Sequence, residues 1–84
     1  MTMKNPKEIS QFNKDRLLAY FASIGNLEKV KMLLHEFNAD PLRFSCACYR
    51  WSRENKHYDI ANYLEMEILK RIPEDKFKVI INEL

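Results

Sequence analysis

Residues 17–34 read LLAYFASIGNLEKVKMLL. Apolar side chains recur at intervals of three and four residues on both sides of a single break. That spacing places them along one side of an α-helix. The break is Gly25-Asn26, and glycine supplies the left-handed residue that commonly ends a helix. The stretch therefore predicts two helices joined by a very short turn.

The same spacing continues toward the C-terminus. It indicates a helix over residues 60–72, which Pro73 ends while beginning another. The last helix has an apolar stripe of Phe77, Ile80, Ile81 and Leu84. Asn38 is a plausible left-handed end for the second helix of the opening stretch. The chain is thus expected to contain further helix pairs.

The N-terminal end favours one more short helix, Pro6 to Asn13, with Asn5 as its cap. Residues 46–55 follow the helical pattern least well. The chain has one glycine and no stretch that alternates apolar and polar residues over a strand's length, which disfavours hairpins and sheets. The pattern therefore predicts an all-α fold of five or six helices, paired and stacked as a short solenoid.

Composition limits the classes of protein to consider. The chain has 84 residues, enough for one domain. Its 14 basic and 12 acidic residues are too evenly balanced to indicate a dedicated nucleic-acid or membrane-surface binder. It contains no apolar run of membrane-spanning length, and its start, MTMKNPKE, is too polar for a signal peptide. Cys46 and Cys48 are expected to be free thiols in a reducing interior, which indicates a cytoplasmic protein.

Two stretches resemble ankyrin repeats. Residues 18–34, LAYFASIGNLEKVKMLL, are similar to the pattern L-H-x-A-A-x-x-G-H-L-E-V-V-K-L-L-L, and residues 38–41, NADP, resemble its G-A-D-P ending. Residues 50–64, RWSRENKHYDIANYL, are similar to H-W-A-A-E-N-G-H-x-E-I-V-K-Y-L. Gly25 and Lys56 hold corresponding positions 31 residues apart, near the family period of about 33 residues.

The resemblance implies a single ankyrin-like domain over residues 1–84. Its parts are an N-terminal cap (1–14), a first repeat (15–41), a second repeat (42–72) and a C-terminal capping helix (73–84). Neither repeat has the family's T-P-L-H opening, and the second has Lys56 in place of a glycine and Arg53 in place of a packed alanine.

The resemblance also implies which residues face a partner, because ankyrin repeats bind through their finger tips and inner helices. In the first repeat these positions are Ser23 and Ile24. In the second repeat they are Arg43, Phe44, Cys46, Glu54 and Asn55.

A basic and aromatic cluster supports a binding role independently of the resemblance. We name it the Arg43–His57 cluster; its members are Arg43, Phe44, Tyr49, Arg50, Trp51, Arg53, Lys56 and His57. Arginine with aromatic residues is typical of protein interface hot spots and also of nucleic-acid contacts. We therefore add Arg50 and Arg53 to the predicted partner-binding residues. For Trp51 alone we expect a position in the core, because the ankyrin pattern often places a large apolar residue there. The structural alternative for the arginines is an ordinary solvated surface.

Catalytic and metal-binding roles have weak signals. Cys46 and Cys48 with His57 or His35 fall short of the four ligands and the spacing of a zinc site. The same residues could be read as a nucleophile and base, but no glycine is near them to shape an oxyanion hole. A single glycine also excludes a P-loop and a dinucleotide-binding fingerprint. No catalytic residue, metal or cofactor is expected.

The sequence thus favours a non-enzymatic protein–protein interaction module, acting as an adaptor or inhibitor. Its size and the divergence of its repeats fit a viral or bacterial protein that acts on a host protein inside the host cell. The alternative is a small nucleic-acid-associated protein that uses the Arg43–His57 cluster. A third reading makes the stripe from Phe77 to Leu84 a dimer face, so both monomer and homodimer remain open.

Overall fold

The computed structural model describes residues 9–82. Over this range the chain forms five α-helices and no strand, which confirms the all-α prediction. The helices are α1 (Gln11–Ser23), α2 (Leu27–His35), α3 (Arg43–Glu54), α4 (Tyr58–Leu69) and α5 (Glu74–Asn82). None of these five helices combines the length and the apolar character needed to span a membrane.

Helix α1 begins at a side-chain cap. The Ser10 hydroxyl accepts a hydrogen bond from the Asn13 amide (3.2 Å), as an N-cap serine commonly does. Residues 11–13 continue without a break into the rest of α1, so the predicted helix boundary at Asn13 is wrong. The remainder of the expected helix, with its Asn5 cap, lies outside the described residues.

The turn between α1 and α2 recurs between α3 and α4, displaced by 31 residues. Gly25 (φ +86°) and Lys56 (φ +64°) are both left-handed. The next amide in each turn reaches back five residues, from Asn26 to the Phe21 carbonyl (2.9 Å) and from His57 to the Ser52 carbonyl (2.8 Å). This is the hydrogen bond that closes a helix with a left-handed end. The predicted left-handed ending at Asn38 (φ +57°) is also confirmed.

The helices pack around α3. Helix α1 lies against α2 and α3, and α3 also contacts α4 and α5. The fully buried apolar residues of the resulting core include Leu18, Ala22, Val30, Leu33, Ile60, Leu64 and Ile68. All seven belong to the apolar stripes that the helical periodicity predicted, whereas Ile24 and Leu69 of the same stripes are exposed.

Helix α5 covers the open side of α3 and α4. Pro73 precedes it as predicted, and its carbonyl accepts from the Phe77 amide (3.1 Å). Phe77 is buried, with its ring 5.0 Å from that of Tyr49 in an edge-to-face arrangement. Ile80 and Ile81 are half-buried against the core. The described part of the C-terminal stripe therefore packs inward.

The entry to α3 contains an unusual turn. Phe44, Ser45 and Cys46 have φ values between +55° and +60°, a conformation that costs roughly 1–2 kcal/mol per residue for L-amino acids. The Arg50 guanidinium holds this turn by donating to the carbonyls of Phe44 and Ser45 (both 3.0 Å). The weak helical pattern over residues 46–55 nevertheless forms a helix from this turn onward.

Candidate protein-interaction surface

Helices α1 and α3 lie side by side and point in the same direction. Near their starts, Arg43 contacts Asp15, and near their ends the Asn55 side-chain amide donates to the Ser23 carbonyl (2.9 Å). Because start meets start and end meets end, the outward sides of both helices form one continuous surface.

This surface is rich in exposed apolar side chains. Tyr20 on α1 is 53% exposed and Trp51 on α3 is 41% exposed. The two residues are 31 positions apart, the same displacement that relates the two turns, so they hold equivalent places on the two helices. Phe12, Ile24 and Phe44 are also exposed, and the Phe12 and Phe44 rings meet edge to face with centroids 5.6 Å apart. We call these five residues the α1–α3 face.

The expectation that Trp51 lies in the core is wrong. Ser52 takes the fully buried position instead, with its hydroxyl donating to the Tyr49 carbonyl (2.7 Å). Sequence reasoning also missed Tyr20 as a surface residue. The signal was present, because displacing Tyr20 by the repeat period leads to Trp51, a second large aromatic at an equivalent position.

Four predicted binding residues lie together at the C-terminal ends of α1 and α3. The hydroxyl of Ser23 donates to the Tyr20 carbonyl (2.6 Å), and the Ser23 carbonyl accepts from Asn55. Ser23 and Asn55 thus join the two helices. Ile24 and Glu54 are exposed beside them, where a partner can reach them.

Arg43 pairs with a buried carboxylate. Its Nε donates to Asp15 Oδ2 (2.8 Å), and the Asp15 side chain is fully buried. The other Asp15 oxygen accepts from Gln11 Nε2 (2.8 Å) and from the Asp40 amide (2.6 Å). This network joins the loop before α3 to α1. The Arg43 side chain remains 41% exposed, and its guanidinium lies 5.9 Å from the Phe44 ring centroid.

Arg50 and Arg53 also make contacts within the chain. Arg50 holds the left-handed turn before α3, and Arg53 Nη1 donates to the Tyr49 hydroxyl (3.0 Å). Both arginines border a surface groove of about 380 Å³ between α3 and α5. Its lining residues are Tyr49, Arg50, Arg53, Glu54, Ile81 and Asn82. The arginines therefore stabilise α3 while keeping charge at the surface.

The opposite side of the molecule carries a polar cluster that sequence reasoning missed. Glu67 on α4 is buried, and its Oε1 lies 3.1 Å from His35 Nε2 on α2. The Tyr63 hydroxyl bonds both His35 and Glu67. Burial and the neighbouring Glu67 raise the pKa of Tyr63. The cluster links α2 to α4, and each member is 28 or more residues from its cross-helix partner, so no local motif reveals it.

The two thiols are free and buried, as predicted. Cys48 Sγ donates to the Pro41 carbonyl (3.4 Å), and burial raises its pKa to about 12. Burial likewise raises the pKa of Cys46. Burial therefore disfavours the thiolate form of both side chains. The prediction that Cys46 faces a partner is wrong, since its side chain is completely buried.

Within residues 9–82, no three His, Cys, Asp or Glu side chains are placed to hold a metal ion. A scan against protein-family models, a search of curated proteins and a search of solved structures found no significant match to this chain.

Proposed function

We propose that this chain is a non-enzymatic module that binds another protein through the α1–α3 face. The observation that carries the proposal is the exposure of Tyr20 and Trp51 at equivalent positions of adjacent helices. Tyrosine, tryptophan and arginine are the residues most enriched in interface hot spots. A partner that covers the exposed parts of these two rings removes further apolar surface from water, at roughly 25 cal/mol per Å².

An ankyrin-like arrangement is part of the proposal. It is supported by the recurrence of the turn after 31 residues, with left-handed Gly25 and Lys56 at corresponding places. The side-by-side packing of α1 and α3, the first helices of the two pairs, also supports it. Helix α5 would then act as a C-terminal cap, because Phe77 covers Tyr49 where a further repeat would otherwise pack.

The proposal is tested by comparing three tagged proteins as baits in a lysate of the source cells. The baits are the wild-type chain, a Tyr20→Ser/Trp51→Ser variant and a Tyr58→Ser/Val79→Ser control. Tyr58 and Val79 are as exposed as Tyr20 but lie on α4 and α5. Circular dichroism confirms that all three fold.

We expect at least one protein to be captured by the wild type and the control and to fall about tenfold or more with the first variant. Equal capture by all three baits would contradict the proposal. Capture lost only with the control would place the binding surface elsewhere.

A nucleic-acid role for the Arg43–His57 cluster is the second candidate. It is favoured by three arginines beside exposed Phe44 and Trp51, since bases stack on aromatic side chains. Affinity for a single-stranded oligonucleotide that falls steeply with salt would support it. Undetectable binding at low salt would remove it.

A further inference from the structure

Charge is divided unequally between the first helices of the two pairs, α1 and α3, which we call the first layer, and their second helices, α2 and α4, which we call the second layer. Helices α1 and α3 carry five basic and two acidic side chains, whereas α2 and α4 carry two basic and four acidic ones. The basic side chains of the first layer are Lys14, Arg16, Arg43, Arg50 and Arg53. The balanced total of the chain therefore conceals a positive layer and a negative layer.

Two of the positive charges lie beside the aromatic residues of the α1–α3 face. Arg16 is exposed and lies one helical turn from both Phe12 and Tyr20, and the Arg43 guanidinium lies against the Phe44 ring. One acid of these helices, Asp15, is fully buried and paired with Arg43, so Glu54 is their exposed acid. A molecule that docks on the α1–α3 face meets apolar rings beside the guanidinium groups of Arg16 and Arg43.

We propose that the segment docking on the α1–α3 face is an acidic stretch of protein that also carries apolar side chains. This proposal rests on the protein-binding function proposed above. Carboxylates pair with guanidinium groups through strong, paired hydrogen bonds. The apolar side chains cover Tyr20 and Trp51, and the opposite charges guide the approach and exclude basic competitors.

The charge of the whole chain disfavours nucleic acid as the occupant. The sequence has 14 basic and 12 acidic residues, whereas nucleic-acid-binding domains usually carry a clear basic excess. Contacts within the chain also occupy part of the guanidinium donors, because Arg43 bonds Asp15, Arg50 bonds two main-chain carbonyls and Arg53 bonds the Tyr49 hydroxyl. A short segment with a few carboxylates needs fewer free donors than a continuous polyphosphate backbone.

The size of the surface sets the length of the segment. Helix α1 has 13 residues, which corresponds to a length of about 20 Å at 1.5 Å per residue. An extended chain covers that distance with about six residues. A short linear segment is thus long enough to span the face.

The experiment selects peptides without assuming a partner. A random library of about twelve-residue peptides, displayed on phage, is panned against the immobilised wild-type chain. Selected peptides are then measured by fluorescence anisotropy against wild type, Tyr20→Ser/Trp51→Ser, Arg16→Glu and the control Lys76→Glu. The control reverses one exposed charge on α5, so it changes the net charge by the same amount as Arg16→Glu.

We expect the selected peptides to contain more Asp and Glu than the library, together with aromatic or aliphatic residues. Their affinity falls about tenfold or more in the first two variants and stays within about twofold in the control. Peptides that need Tyr20 and Trp51 but show no acidic excess would overturn this inference while leaving the proposed function standing.

Three other outcomes would contradict the inference. Peptides that bind the Tyr20→Ser/Trp51→Ser variant as well as wild type would overturn both the inference and the proposed face. A failure to recover any peptide would overturn the inference. If a thymidine oligonucleotide of about 20 nucleotides binds the wild-type chain more tightly than the selected peptides at about 0.15 M salt, the face would be assigned to nucleic acid.

Discussion

The imidazole of His57 lies directly against Gly25. A Cβ atom built on Gly25 would come within 2.7 Å of His57 Cε1 and 2.9 Å of Nδ1, closer than side chains tolerate. The two residues belong to the two equivalent turns of the fold, and Asn55 bonds Ser23 beside them. The turn of the second helix pair thus stacks on the turn of the first.

Replacing Gly25 with alanine is expected to destabilise the chain by about 2 kcal/mol. Part of this is the left-handed backbone (φ +86°), and part is the clash with His57. In a His57→Ala background the clash is absent, so the same change should cost only about 1 kcal/mol. Urea unfolding of the four proteins measures both effects. Equal costs in the two backgrounds would mean that the turns do not stack as described.

Substitution of Lys56 by glycine is expected to have the opposite effect on stability. It occupies the same left-handed place in the second turn (φ +64°), with an exposed side chain. Lys56→Gly is expected to stabilise the chain by about 0.5–1 kcal/mol because glycine adopts this conformation without strain. Lys56→Ala, which keeps the strain, is the matched control and should stay near wild type. A loss of stability in the glycine variant would argue against the left-handed turn.

The turns show how much of the fold the sequence predicts. Gly25 and the spacing of Leu18, Ala22, Val30 and Leu33 act locally, so helix positions and core residues follow from the pattern. The start of α1 was misjudged because Pro6 is a strong helix-start signal. In the described residues it is Ser10 that caps α1.

The Asp15 network predicts that Arg43 matters because of the buried charge that it pairs with. Asp15→Ala removes the acceptor of three hydrogen bonds in a buried site and is expected to cost about 3 kcal/mol. Arg43→Ala leaves a fully buried carboxylate without its cation, so it should also cost about 3 kcal/mol. In an Asp15→Asn background the same arginine substitution leaves no unpaired charge and should cost only about 1 kcal/mol. Chemical denaturation compares the two backgrounds. Equal costs of Arg43→Ala in both would mean that the buried carboxylate does not organise this loop.

Because the thiols are buried, we expect the free energy of unfolding to depend on pH in the alkaline range. The pKa of Cys48 rises from 9.0 to about 12 in the fold, so the unfolded chain loses this proton first. The stability that the Cys48 thiol contributes is fully present below about pH 9. It is lost as pH rises toward 12, and the free energy of unfolding then falls by at most about 1.4 kcal/mol per pH unit. Tyr63, whose pKa is also raised, acts in the same direction in any variant that retains it.

Between about pH 8 and about pH 10, the free energy of unfolding should therefore fall by about 1.4 kcal/mol more in wild type than in Cys48→Ala. Because Tyr63 and Cys46 are common to both proteins, the comparison isolates Cys48. An identical pH dependence in the two proteins would show that this thiol titrates normally.

The surface was harder to predict than the core. The sequence shows Arg43 and Arg50 but not their acceptors, which are a carboxylate 28 residues away and the carbonyls of a left-handed turn. Trp51 was expected in the core because the ankyrin pattern often places a large apolar residue at this position. Only the packing of α1 beside α3 shows that Trp51 and Tyr20 face outward together.

Site-specific photo-crosslinking identifies which surface of the chain touches its partner. A benzophenone amino acid is placed at position 20 or 51 of the chain in its source cells, with positions 58 and 79 as equally exposed controls. We expect positions 20 and 51 to give an adduct with the same protein and positions 58 and 79 to give none. An adduct formed only from positions 58 or 79, or none from positions 20 and 51, would show that the α1–α3 face is not the binding surface.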